Sequence, residues 1–311
     1  MLRIIKERFL QADSPAFYYE SIKFLLLPVC LKEPSEAPAV PKGTIRNATK
    51  LGPSCMQIFR HPAHLRGSED CLHLNVYTPS YLCNDNTTLP VLVHFHGGGF
   101  MYGSGGGDPN RVVSRGIVLV LANYRVGILG FLSSGNRDLP GNFGLLDQQL
   151  ALKWVQKNIR EFCGNPNRVT LSGPSAGGAA TTLHMVSPGS QGLFQQAIAT
   201  SGVFLNPWVQ HKGDPEKVRS VARAVGCTAA ANAAISSLLP CLRTVNGSKL
   251  AEAQLLFQGW QENPFSPFGP VIDGTFISED PYRLLIKGKV AMVPLLLSHT
   301  TEEGLYVVAG K

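Results

Sequence analysis

From Leu89 to Phe204, short runs of branched apolar residues alternate with longer stretches in which apolar positions recur every three or four residues. Runs of the first kind read as strands buried on both faces, and stretches of the second kind as amphipathic helices laid over them. Strands are expected at Val91 to Phe95 (VLVHF), Ile117 to Leu121 (IVLVL), Arg168 to Ser172 (RVTLS), Gln196 to Thr200 (QAIAT) and Val293 to Ser298 (VPLLLS). Leu145, Leu152, Val155, Ile159 and Phe162 fall on one helical stripe, which predicts a helix over Leu145 to Phe162. A second stripe, Val218, Val221, Ala222 and Val225, predicts a helix over Asp214 to Val225, with Asp214 as N-cap and Pro215 at the first helical position. The alternation predicts an α/β fold, a mostly parallel twisted sheet flanked by helices.

Composition sharpens this picture. With 44% apolar and 16% charged residues over 311 positions, the chain can bury one large core, so disorder and coiled coil are poor fits. The net charge of +7 is scattered, with no basic run or stripe interleaved with aromatics, and no nucleic-acid partner is expected. The longest apolar candidate for a membrane span, Phe24 to Leu31, is broken by a proline and falls far short of ~18 residues, so it reads as a core segment or a damaged leader. No signal peptide is readable in MLRIIKERFLQADSPAF, whose charged start is followed by no adequate apolar stretch. Seven cysteines and three glycosylation sequons, at Asn47, Asn86 and Asn246, fit a secretory history. Residues 1–45 form a divergent N-terminal segment without assignment, ahead of the unit at 46–311.

The glycine-rich segment Gly97 to Gly107 is no phosphate loop, since neither Gly-Lys-Ser/Thr nor G-x-G-x-x-G aligns in it. A second motif gives it a purpose. Gly173-Pro174-Ser175-Ala176-Gly177 matches G-x-S-x-G after an expected strand and before a small-residue helix, Ala176 to Met185. Taken alone, that pattern more often marks a glycine-rich turn with an incidental serine. Here His96-Gly97-Gly98-Gly99-Phe100 follows the first strong strand, and its bare backbone can aim N–H groups at an oxyanion together with the N–H of Ala176. Losing one such donor costs ~2.7–4 kcal/mol of transition-state stabilisation, more than a glycine run costs in entropy. Past the last strand, Glu302-Glu303-Gly304 offers a carboxylate to orient an imidazole; the bland alternative is an acidic helix start. His61, His64 and His73 surround Cys71 without tetrahedral metal spacing, so neither metal nor cofactor is expected.

Together these residues resemble the type-B carboxylesterase and cholinesterase family over roughly Asn47 to Gly304. The resemblance rests on Ser68-Glu69-Asp70-Cys71-Leu72-His73-Leu74-Asn75-Val76-Tyr77, His96 to Phe100, Asn123-Tyr124-Arg125-Val126-Gly127, Gly141-Asn142-Phe143-Gly144-Leu145-Leu146-Asp147-Gln148, Gly173 to Gly178, Pro270-Val271-Ile272-Asp273-Gly274 and Glu303-Gly304. It implies an α/β-hydrolase fold and serine ester hydrolysis, with Ser175 as nucleophile, Glu303 as triad acid, and Gly98, Gly99 and Ala176 as oxyanion hole. It further implies Ser201 as an auxiliary serine, Trp208 and Phe268 as acyl-pocket aromatics, and disulfides Cys55–Cys71 and Cys227–Cys241. Cys30, Cys83 and Cys163 are left without assignment. The implied partner is a small, uncharged, largely apolar ester, and the implied location is extracellular.

Several departures qualify the resemblance. All eight histidines precede Glu303, whereas the family places its catalytic histidine after the acid, so negligible turnover is expected of this polypeptide by itself. The family's last strands, like its opening β-rich segment, are not readable here, which predicts an exposed sheet edge. Pro174 stands where many relatives carry glutamate, and the stretch from Cys55 to Cys71 has no tryptophan to stack on a quaternary ammonium, which speaks against a cholinesterase. The rival class is an esterase-like protein that binds ligand or partner without chemistry; the retained serine, acid and glycines rank it second.

Overall fold

The structure, a computed structural model, describes residues 3–4, 17–23, 30–37, 45–46, 48, 50–60, 63–79, 88–227, 233–257 and 266–305. Its centre is a seven-stranded sheet. The strands are β1 (Phe17–Lys23), β2 (His73–Thr78), β3 (Leu89–Phe95), β4 (Val118–Ala122), β5 (Gly164–Pro174), β6 (Gln196–Thr200) and β7 (Leu295–Ser298). Across the sheet they run β7-β6-β5-β3-β4-β2-β1. The five from β7 to β4 are parallel, and β2 and β1 add antiparallel pairs at one edge. Every residue of β4 is buried, as its unbroken apolar run predicts for a strand covered on both faces.

All five expected strands are present, with ends displaced by a few residues. The largest displacement is in β5, which begins at Gly164 rather than Arg168 because Leu89 pairs with Gly164 before a register shift. Its polar start, Gly-Asn-Pro-Asn, carries no apolar signal. The helix expected to reach Phe162 runs instead over α1 (Phe143–Asn158) and tightens into a 3₁₀ turn at Ile159–Phe162, where Cys163 at φ 65° ends it. Helix α2 (Ala176–Val186) is buried along its whole length. Helix α3 (Pro215–Ala224) starts as expected, with Asp214 Oδ1 accepting the Glu216 N–H at 2.8 Å.

The N-terminal segment left unassigned by the sequence joins this sheet. β1 pairs antiparallel with β2, from Phe17 opposite Thr78 to Lys23 opposite His73. Further on, Cys30 and Leu31 are buried, and Arg125 Nη1 donates to the Lys32 carbonyl at 2.8 Å. Arg125 also grips Asp147 through Nε and Nη2, at 2.8 and 2.7 Å, which ties the chain after β4 to α1. Both side chains are buried, at 4% and 0% exposure. This pair gives the Asn123-to-Gly127 and Gly141-to-Gln148 motifs a structural reason to occur together.

Disulfides join Cys55 to Cys71 and Cys227 to Cys241, as the resemblance implies. Cys163, left over by the sequence reading, is also disulfide-bonded. Cys30 is a free, buried thiol pushed up to about 12 by burial and by its hydrogen bond to Glu69 Oε2 at 3.1 Å. Cys83, Asn47 and Asn86 lie outside the described residues; Asn246 is exposed and caps the helix Gly247–Ala253 by accepting the Ser248 N–H at 2.8 Å. At the far edge, β7 pairs only with β6 among the described strands, and Leu295, Leu296 and Leu297 stand 40%, 55% and 59% exposed. Among the described residues no helix is long and apolar enough to cross a membrane.

Candidate active site

The site is built at the carboxyl ends of the parallel strands. Pro174, Thr200 and Ser298 form one cross-strand row at the ends of β5, β6 and β7. Directly beyond the first of these, Ser175 makes the turn into α2 with φ 53° and ψ −120°. The bend is fixed by its own backbone, since Ser175 N–H donates to the Thr200 carbonyl at 2.7 Å while its carbonyl accepts the Ala179 N–H at 2.9 Å. Helix α2 then passes so close to β3 that a Cβ on Gly177 would stand 2.1 Å from the Phe95 carbonyl oxygen. A strand–serine–helix turn of this tightness therefore requires a residue without a side chain at that position.

The triple-glycine loop lies against this turn. A Cβ on Gly97 would meet the Cβ of Ser175 at 3.3 Å. Within the loop, the Met101 and Tyr102 N–H groups both converge on the Gly98 carbonyl, at 2.9 and 3.2 Å. Because a trans peptide points its C=O and N–H in opposite directions, the N–H of Gly99 faces away from the turn whose interior holds that carbonyl. The N–H of Ala176, first residue of α2, has no acceptor within the helix. Ser175 thus sits at the positive end of α2, beside the N–H of Ala176.

Glu303 follows β7, is exposed, and accepts the Thr300 N–H at 2.9 Å. The Ser201 hydroxyl also donates to it, and that bond, followed by the one from Thr300, holds its carboxyl below the usual range. Ser201 has φ 54° and is anchored by its N–H to the Ser298 carbonyl at 2.7 Å. Of the two candidate acids, Glu303 is the one joined to Ser201. Ser175, Ser201 and Glu303 thereby follow three neighbouring strands in order.

Four of the described histidines are engaged elsewhere, whereas His299 lies near Glu303, its Nδ1 meeting the Thr300 carbonyl at 2.8 Å. His184 is fully buried, contacts Ser190 Oγ and Gln148 Oε1 at 2.8 and 3.0 Å, and is pushed down to about 3 by burial. His96 stacks on Tyr124 with ring centroids 4.2 Å apart, bonds the Gly97 carbonyl at 2.8 Å, and is lowered by burial to about 4. His94, lowered by burial, meets Ser172 Oγ at 3.1 Å. His211, likewise lowered by burial, meets the Trp208 carbonyl at 3.2 Å. His61 lies outside the described residues, and among those described no group of His, Cys, Asp or Glu could hold a metal ion.

The two aromatic candidates occupy adjoining segments. The Trp208 ring lies 6.3 Å from that of Phe100, and the His211 N–H donates to the Pro270 carbonyl at 2.8 Å, so residues 208–211 run beside 268–271. Phe268 itself is buried, edge-on to Phe257 at 5.3 Å with Lys217 Nζ 5.6 Å above its ring.

Sequence reasoning missed three side-chain amides that secure the glycine loop. Gln57 exchanges two hydrogen bonds with Gly103, Asn75 Nδ2 donates to the Gly105 carbonyl at 2.8 Å, and Gly105 N–H donates to Asn123 Oδ1 at 2.7 Å. Asn75 and Asn123 lie inside quoted motifs, a signal that marked them without revealing their task; Gln57 carried none.

Known proteins resemble most of this chain. The chain is 40% identical over 272 residues to venom carboxylesterase-6 of Apis mellifera, covering 85% of this chain and 48% of that protein. It is 37% identical over 303 residues to juvenile hormone esterase of Tribolium castaneum, covering 92% and 51%. With bile salt-activated lipase of Mus musculus the identity is 39% over 256 residues, covering 78% and 42%. The chain therefore spans about half the length of the curated relatives it matches. Residues 32–311 match the model of the carboxylesterase family, and with its serine turn, glycine loop and paired acid at the ends of a parallel sheet, the chain belongs to that family.

Proposed function

We propose that the protein hydrolyses carboxylic esters by acyl transfer through Ser175. Its Oγ attacks the ester carbonyl, the N–H groups of Gly98, Gly99 and Ala176 receive the developing oxyanion, and the alcohol leaves with the proton taken from Oγ. Water then cleaves the acyl-serine to release the acid. Glu303, steadied by Ser201, orients the imidazole that carries the proton, which a longer polypeptide supplies after the acid. Trp208 and Phe268 favour an uncharged, largely apolar acyl group. The observation carrying this reading is the row of Pro174, Thr200 and Ser298, which sets Ser175, Ser201 and Glu303 after three adjacent strands beside the glycine loop.

The test is a fluorophosphonate probe together with a p-nitrophenyl ester. The full-length protein should be labelled at Ser175 and hydrolyse the ester, and Ser175→Ala should abolish both; residues 1–311 alone should turn over negligibly. A full-length protein that resists the probe would overturn the proposal and leave a binding role without chemistry. An extracellular location is part of the same reading. The disulfides Cys55–Cys71 and Cys227–Cys241 support it, since such bonds persist in oxidising compartments. A glycosidase-sensitive mass shift at Asn246 in secreted protein would check it.

A further inference from the structure

Two of the three donors proposed for the oxyanion, Gly98 and Gly99, lie in the glycine loop; Phe100 and Met101 anchor its middle by burial, but at Gly103 it has no side chain of its own. That end of the loop depends on a partner from outside, because donors act in the transition state only where they are already in place. Gln57 is the side chain that meets the loop most completely. It is 4% exposed, its Nε2 donates to the Gly103 carbonyl at 2.9 Å, and its Oε1 accepts the Gly103 N–H at 2.8 Å. A second Nε2 hydrogen goes to the Cys55 carbonyl at 2.7 Å.

Gly103 is a sensitive point at which to hold the loop. It has φ 132°, and a Cβ there would stand 2.1 Å from Nδ1 of His96, so its backbone approaches that ring too closely for any side chain. His96 in turn bonds the Gly97 carbonyl, and its own carbonyl accepts the Tyr124 hydroxyl at 2.7 Å. One residue before Gly103, Tyr102 closes the turn onto the Gly98 carbonyl, the bond that orients the Gly98–Gly99 peptide. Displacing Gly103 would therefore rotate that peptide and its N–H.

The anchor of Gln57 is itself stiff. It sits two residues after Cys55 of the Cys55–Cys71 disulfide, and Met56 N–H and Ser68 N–H bond across that loop at 3.1 and 2.9 Å. We propose that Gln57 is the positioning residue of the oxyanion loop, transmitting the rigidity of the disulfide loop to Gly98 and Gly99 without touching substrate. The clamp stands on geometry; its catalytic consequence rests on the esterase reading above.

Two readouts separate those parts. In residues 1–311, amide hydrogen exchange over 97–105 should accelerate at least tenfold in Gln57→Ala and in the near-isosteric Gln57→Glu, which keeps the volume and removes both Nε2 bonds. Unchanged exchange in a folded Gln57→Glu would overturn the clamp. In the full-length enzyme, both variants should lose roughly 10- to 100-fold in kcat, the size expected for small misplacement of catalytic groups, with KM within about twofold. The inhibition constant of a trifluoromethyl ketone, which mimics the tetrahedral oxyanion, should weaken in parallel with kcat/KM. Faster exchange with unchanged kcat would overturn the positioning role, as would a loss confined to KM. A wild-type enzyme inert to ester and fluorophosphonate would sink the esterase reading instead, with the exchange experiment still deciding the clamp.

Discussion

Acid should weaken this fold through His184, an imidazole buried at its core. The ring is fully buried between Phe95 and Phe276, with centroids 5.8 and 5.1 Å away, and burial lowers it from 6.5 to about 3. Between those two values the unfolded chain takes up a proton that the folded chain refuses, so stability is full above 6.5 and falls as pH drops towards 3. At pH 5 the unfolded state is about 1.5 units below its midpoint, which corresponds to roughly 2 kcal/mol lost from this residue alone. His184→Gln removes the titration while retaining groups able to reach Ser190 and Gln148. Urea unfolding followed by tryptophan fluorescence at pH 7 and pH 5 measures the difference directly. The parent should lose more stability than the variant across that interval, by about 2 kcal/mol, even though His94, His96 and His211 add a shared acid loss to both. Equal losses in the two proteins would refute the reasoning, because a histidine charged inside the fold contributes no such slope.

Three further outcomes follow from single features. Arg125→Met leaves Asp147 buried and unpaired, and should cost ~3–5 kcal/mol, while the double change Arg125→Met with Asp147→Leu should recover much of that loss in the same urea titration. Ser175→Gly should eliminate fluorophosphonate labelling yet raise the melting temperature, because φ 53° with ψ −120° costs a serine on the order of 1 kcal/mol that glycine avoids. Leu296→Lys, on the exposed strand β7, should shift residues 1–311 towards monomer in sedimentation velocity, since a charge on an edge strand opposes pairing with another chain.

The parts of this molecule legible in the sequence are those whose cause is local. β3 and β4 declare themselves by runs of branched apolar residues, unbroken in β4 because it is buried on both faces, and α3 because Asp214 and Pro215 mark its start chemically. The serine turn is readable for a similar reason, since Gly177 must be bare where α2 crosses Phe95. β1 was not readable: Phe-Tyr-Tyr-Glu-Ser-Ile-Lys lacks strict alternation, and its place as an edge strand depends on β2, which lies far along the chain. Gln57 was silent for the same physical cause, its hydrogen-bond partner being Gly103, 46 residues away. The consequence is general to sites made of backbone donors. A sequence can announce bare amides only through glycine, while the groups that aim them are ordinary amide side chains with no pattern of their own. On the proposed esterase reading the glycines mark where charge would be received, and the two hydrogen bonds between Gln57 and Gly103 are the contacts that would hold their loop in place before substrate arrives.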